Sequence, residues 1–167
     1  MKLRLTLLLC LLTSFNANSY EVAHGIYTDH IFSDQYKDKA TKEKRDYNED
    51  NNMISIWGAL DVEDGDKPFE DGITLKVGGG YFYNSFYEDA PFVGAIIDAR
   101  QGIYTSKVFG RVETYTGVGA IITHAYEDMK FVPILVAHAG VRNSKFFINV
   151  GPYGLSAIVA TAGITFD

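Results

Sequence analysis

The chain reads as an all-β protein: an eight-stranded antiparallel up-and-down β-barrel behind a cleaved signal peptide. Three observations predict it. Segments of period-two alternation recur between residues 21 and 166, with turn-forming residues between them. Glycine and aromatic residues are abundant, with 16 Gly, 11 Tyr and 11 Phe. That suits a twisted, closed sheet in which glycine admits bends and close backbone approach. Past the leader, no long helical period competes with the alternation.

The leader is read first. Lys2 and Arg4 precede an apolar run from Leu5 to Leu12 that only Thr6 interrupts, and Ala17-Asn18-Ser19 offers small residues where a signal peptidase reads. Cleavage is expected after Ser19, leaving residues 20–167 as a single barrel domain. The apolar run is too short to cross a bilayer as a helix. Leu9 stands before Cys10, where a lipoprotein site wants a small residue. Cys10 is the only cysteine and leaves with the leader, so the exported chain has no disulfide to rely on. The formal net charge is −6 at pH 7, which argues against nucleic acid as a partner. The expected state is a monomer.

Glu21 to Phe32 is the first expected strand and carries His24 and His30. The polar run Ser33 to Asp46 reads as a long exposed loop. Asn52 to Val62 alternates, with Ile54, Ile56, Leu60 and Val62 on one face. A turn follows around Asp64-Gly65-Asp66 and Pro68. Ile73 to Asn84 alternates next, Leu75, Val77, Tyr81 and Tyr83 opposing Thr74, Lys76, Gly78 and Gly80. The Gly78-Gly79-Gly80 run reads as bending or lumen space rather than as a phosphate loop. Phe92 to Gln101, then Tyr104 to about Ile122, follow with a tight turn expected near Gln101-Gly102. The last three expected strands are Phe131 to Val141, Lys145 to Val150 and Leu155 to Phe166.

Faces bearing Lys76, Asp98, Arg100, Arg111 and Glu113 oppose faces that are mostly aliphatic. A soluble calyx would turn the charges outward. A membrane barrel would pair them within its lumen, which at eight strands is just wide enough to be filled by side chains. Alternation alone does not say which face is inside. Tyr81, Tyr83 and Phe166 fall at strand ends on aliphatic faces, as interfacial girdles do. Outer-membrane placement is therefore the expectation, with a periplasmic calyx as the alternative.

One rim is expected to gather the end of the first strand at His30, the Tyr47-Asn48-Glu49 element opening the second, and Asn84-Ser85 closing the third. A histidine, a hydroxyl, a carboxylate and an amide together suit acyl transfer. Ser85 would be nucleophile or proton donor and His30 the base. Asn84 or Tyr47 would stabilise an oxyanion. The same residues are also ordinary turn and strand-capping types. His24, His124 and His138 read as packed or loop histidines, no pair of them has metal-ligand spacing with suitable partners, and no metal or cofactor is expected.

His30, Arg45-Asp46-Tyr47-Asn48-Glu49, Asn84-Ser85 and the apolar Phe131-Val132-Pro133-Ile134-Leu135 run resemble, in chain order, the elements of the outer-membrane lipid A palmitoyltransferase family. That resemblance implies an eight-stranded outer-membrane barrel that moves an acyl chain from a phospholipid donor to lipopolysaccharide, using His30 and Ser85 with help from Asn84. Asn84 stands where the family has aspartate, and the family's amphipathic N-terminal helix has no counterpart. The Tyr-Asn-Glu and Asn-Ser motifs are also similar to those of small exported proteins, some phage-borne, without an assigned activity. That likeness implies a non-enzymatic barrel that binds a hydrophobic ligand or alters the cell surface, for example to exclude phage.

Overall fold

A computed structural model describes residues 17, 19–31, 35–38, 41–47, 52–63, 72–83, 89–123, 131–155 and 157–166, and of 61–63 only the backbone. The expected leader lies almost wholly outside these residues. The strands are β1 (Ser19–His30), β2 (Gln35–Lys37), β3 (Lys44–Asp46), β4 (Ile54–Glu63), β5 (Ile73–Tyr83), β6 (Asp89–Ser106), β7 (Gly110–Thr123), β8 (Val132–Arg142), β9 (Phe146–Tyr153) and β10 (Ala157–Phe166). Eight of them close a barrel in the order β1-β10-β9-β8-β7-β6-β5-β4, while β2 and β3 pair apart from it. All barrel pairings are antiparallel. Ser19 and Phe166 share the lower rim, where the turns at 107–109 and 143–145 also lie. The upper rim carries the end of β1 and the segment with β2 and β3.

Two expected connections differ from what the chain does. Gln101-Gly102 is not a turn. The β6–β7 register shifts between Arg100 and Gly102, so the pair is a bulge, and β6 runs on to Ser106. The turn falls at 107–109, where the Ser106 hydroxyl accepts the backbone N–H groups of Val108 at 3.2 Å and Phe109 at 3.1 Å. A polar residue before glycine serves a bulge as readily as a turn, so the dipeptide alone could not decide. Secondly, the expected loop from Ser33 to Asp46 contains the β2–β3 hairpin, with Gln35 opposite Asp46, Tyr36 opposite Arg45 and Lys37 opposite Lys44. Its pairing is polar on both strands, so no apolar alternation announced it.

The barrel settles which face is inside. Aliphatic side chains point outward and are exposed, among them Ile97 at 51%, Val118 at 62% and Leu135 at 77%. Among the described residues, acids on the barrel exterior come only at upper strand ends, at Asp29 and Asp89, and His24 is the one titratable side chain within the band. Lys76, Asp98 and Arg100 point inward and are buried. The upper lumen is filled by Met53, Trp57, Phe92, Ile96, Ile121 and Val136. The glycine run of β5 makes space for two of these rings. A Cβ on Gly78 would meet Trp57 at 2.9 Å, and one on Gly80 would meet Phe92 at 2.8 Å.

Two interruptions mark the wall. β4 pairs β1 only from Ser19 to His24, so the upper half of β1 has β10 alone as a ladder partner. Between β8 and β9 the ladder passes from Val136–Tyr153 to Ala139–Val150, opposite Gly151-Pro152. Proline offers no N–H to a ladder. Overpacking beside Trp57 gives a direct check on the lumen. Gly78→Val should lower stability by about 1–3 kcal/mol, read as a shifted urea midpoint in micelles, while outward-facing Ala120→Val leaves the midpoint in place.

Candidate functional site

The lumen charges form two clusters rather than one. In the first, Lys76 of β5 places its ammonium 2.6 Å from Glu21 and 2.7 Å from Asp98. The other Asp98 oxygen lies 2.9 Å from His138 Nε2. The side chains of Glu21, Lys76, Asp98 and His138 are each 7% exposed or less. An isolated charge in such a place is very unfavourable, so each ion here has an opposite charge in contact. Gly117 allows the arrangement: a Cβ there would overlap both the Asp98 carboxylate and the His138 ring.

In the second cluster Glu113 of β7 gathers three guanidinium groups. Arg142 Nε donates to it at 3.0 Å, Arg111 Nε at 3.1 Å, and Arg100 Nη1 lies 3.5 Å away. Arg111 is half exposed on the part of the β6–β7 hairpin that extends below the barrel, so it marks the lumen mouth and not the interior. That corrects its expected place. Tyr115, 1% exposed, stands between the clusters. Its ring lies 5.4 Å from the Lys76 ammonium and 4.9 Å from the Arg142 guanidinium. The His138 ring meets it edge-on at 5.8 Å, and its hydroxyl donates to the Asn149 side chain. Cation–π contacts of this kind gain strength where water is excluded.

Sequence reasoning missed Glu21, His138, Arg142 and the Tyr115–Asn149 pair. A parity signal was available for two of them. Glu21 shares the inward parity of Ala23, and His138 lies on the inward parity of β8, apolar but for it and the terminal Arg142. Arg142 lies just beyond the expected end of its strand at Val141, and the Glu113–Arg142 register reveals its role. Between Glu21, Ser55, Trp57, Lys76, His138, Asn149 and Thr161 lies a cavity of about 30 Å³. That is space on the scale of a water molecule or two.

At the upper rim the expected constellation is partly visible. His30 ends β1, buried, with its ring stacked on Tyr47 at 4.4 Å and 15°. Tyr47 follows β3 and does not open β4, which begins at Ile54. Yet it still reaches the end of β1, beside the stretch that β4 leaves unpaired. Tyr36 packs on Tyr47 at 5.2 Å. β5 ends at Tyr83 and, with only β4 between them in the barrel, lies near β1. Asn48, Glu49, Asn84, Ser85 and His124 lie outside the described residues.

No protein-family model matches the sequence, and no curated protein does. Among solved structures the chain is similar to Ail, the attachment invasion locus protein of Yersinia pestis. The identity is 15%, the match covers 89% of this chain and 98% of that one, and the TM-score is 0.35.

The first cluster supplies a sharp test. Lys76→Met strands two buried carboxylates and should destabilise the barrel by about 3–5 kcal/mol. Combining it with Glu21→Gln and Asp98→Asn should recover much of that loss, measured as urea unfolding of the refolded barrel in micelles. Equal midpoints for native and Lys76→Met would show that these pairs do not hold the lumen together.

Proposed function

We propose that the chain is an outer-membrane β-barrel that acts through its upper rim, as a non-enzymatic modifier or binder of the cell surface. The observation that carries this reading is the direction of its side chains. Soluble monomers rarely expose a contiguous apolar patch of more than a few hundred Å². Here an aliphatic belt encircles the barrel while lysine, arginine and carboxylates pair inside, the distribution that a lipid surround favours. The barrel strands run from 8 to 18 residues, and crossing a bilayer takes about 9–11. Both described chain ends lie on the lower rim with the tight turns at 107–109 and 143–145, opposite the long β1–β4 segment at 31–53. In such barrels the chain ends and tight turns are periplasmic. The upper rim then faces outward.

The lumen supports a rim function. Its upper half is filled by packed rings and aliphatic side chains and its lower half by ion pairs, so it offers no aqueous path among the described residues. A cavity of about 30 Å³ admits neither a hydrocarbon chain nor a comparable apolar ligand. Acyl transfer from phospholipid to lipopolysaccharide is the second reading. It is favoured by His30 standing at the rim near the end of β5, where Asn84-Ser85 follows. It would have to bind its acyl chain outside the described lumen.

Two measurements separate these readings. Val118→Arg places a cation at mid-strand on the belt. In a bilayer that costs about 2–4 kcal/mol, whereas on a water-facing surface the change is near zero. Urea unfolding from vesicles should therefore show a clear loss, and an unchanged midpoint would return the chain to the soluble calyx. Lipid A from Gram-negative cells expressing the folded, heat-modifiable protein should keep its native mass spectrum. An added acyl mass that disappears in both His30→Ala and Ser85→Ala would instead establish the enzyme.

A further inference from the structure

We propose that the β2–β3 hairpin binds the phosphate groups of a glycolipid head group, through Lys37 and Lys44; this rests on the outer-membrane reading of the barrel. The register sets Lys37 directly opposite Lys44. Directly opposed residues of an antiparallel pair share a face, with Cβ atoms about 4.5–5.5 Å apart. Both lysines are exposed, and neither has an acidic partner among the described residues. Two of the nearby acids are engaged elsewhere, while Glu43, beside Lys44 in the chain, is exposed. Asp46 accepts the Gln35 amide at 2.8 Å, while Asp38 takes the Thr41 N–H at 2.9 Å and an ion pair with Arg45 at 3.3 Å.

Like charges in direct opposition destabilise a ribbon, and a lone two-stranded hairpin is marginal in water. With three residues per strand, this one keeps the repulsion nonetheless. Lys42 adds an exposed ammonium at the turn, on a backbone with φ of 63° that side-chain-bearing residues seldom adopt. The chain as a whole carries a net charge of −6, so this basic edge runs against the general balance. An anion between the two ammonium groups converts their repulsion into two charge-assisted contacts.

The other face of the hairpin fixes its height. Tyr36 lies there, against Tyr47, which stacks on His30 at the end of β1. The lysine pair is thereby held at the upper rim, where Tyr81 and Tyr83 end the aliphatic belt of β5. Aromatic side chains at that position mark head-group level. The anion found at that level is a lipid phosphate.

The test uses the full chain folded in neutral-detergent micelles, with heat-modifiable gel mobility checking the barrel independently. Native protein is titrated with lipopolysaccharide, with the same material stripped of phosphate, and with inorganic phosphate, following the thermal midpoint. Lipopolysaccharide should raise the midpoint, and the combined Lys37→Gln and Lys44→Gln variant should bind about tenfold more weakly with a shallower salt dependence. Lys145→Gln, on the lower-rim turn, should bind as the native chain does. Equal binding by the double variant, or by phosphate-free lipopolysaccharide, would overturn the proposal. So would an equal response to inorganic phosphate at matched phosphate concentration, which would make the site one for a free ion.

Discussion

A lumen bounded by eight strands is only as wide as the side chains that fill it, and this one contains charges. Lys76, held between Glu21 and Asp98 within 2.7 Å of each, is the contact on which the rest of the interior depends. Were the ammonium absent, two carboxylates would face each other away from water, and the inward side of β1, β5 and β6 would have no compatible packing. Asp98 extends the network to β8 through His138, and Tyr115 carries it to Arg142 and Glu113. Closure of the sheet and neutralisation of the lumen are thus one constraint. The strands that carry the charges must meet in the observed register or the ions are left unpaired.

That constraint also divides the molecule by task. A lumen packed with rings above and ion pairs below offers little to a solute, and the exterior is mostly apolar between the strand ends. What remains open to chemistry is the two rims. The lower one has the tight turns at 107–109 and 143–145, the first of them at the tip of the β6–β7 hairpin. The upper one has the segment that closes over the unpaired half of β1, where Tyr47 covers His30 and carries the small hairpin with it. The proposed function at the upper rim rests on this filled lumen and on the polar side chains gathered at that rim.

The sequence revealed the barrel more readily than its contents. Period two is a local property, and most barrel strands display it without reference to their neighbours, β8 with its nearly continuous apolar run being the exception. Lys76, Asp98, Arg100 and Glu113 could be placed on one face for the same reason. Their division into two clusters could not, because it depends on which strand lies opposite which, and at what shear. Glu21 and Asp98 are 77 positions apart in the chain, and only closure through Lys76 joins them. Gln101-Gly102 shows the same limit at short range, since a bulge and a turn draw on the same residues. The β2–β3 hairpin escaped notice because exposed polar strands lack the alternation that burial imposes.

The rim histidine separates the two functional readings on chemical grounds. A histidine that takes a proton from a serine becomes a cation, and a neighbouring carboxylate stabilises that cation while fixing the tautomer. In serine proteases, exchanging that carboxylate for an amide lowers turnover by about 10⁴. Asn84 is such an amide, so an acyltransferase built on His30 and Ser85 would need its carboxylate from elsewhere on the rim, with Glu49 the acid of the expected constellation. His30 meanwhile has one face of its ring against Tyr47, an arrangement that fastens the hairpin to the barrel. Fastening requires only the shape of the ring, and it gives this histidine a role whether or not it ever transfers a proton.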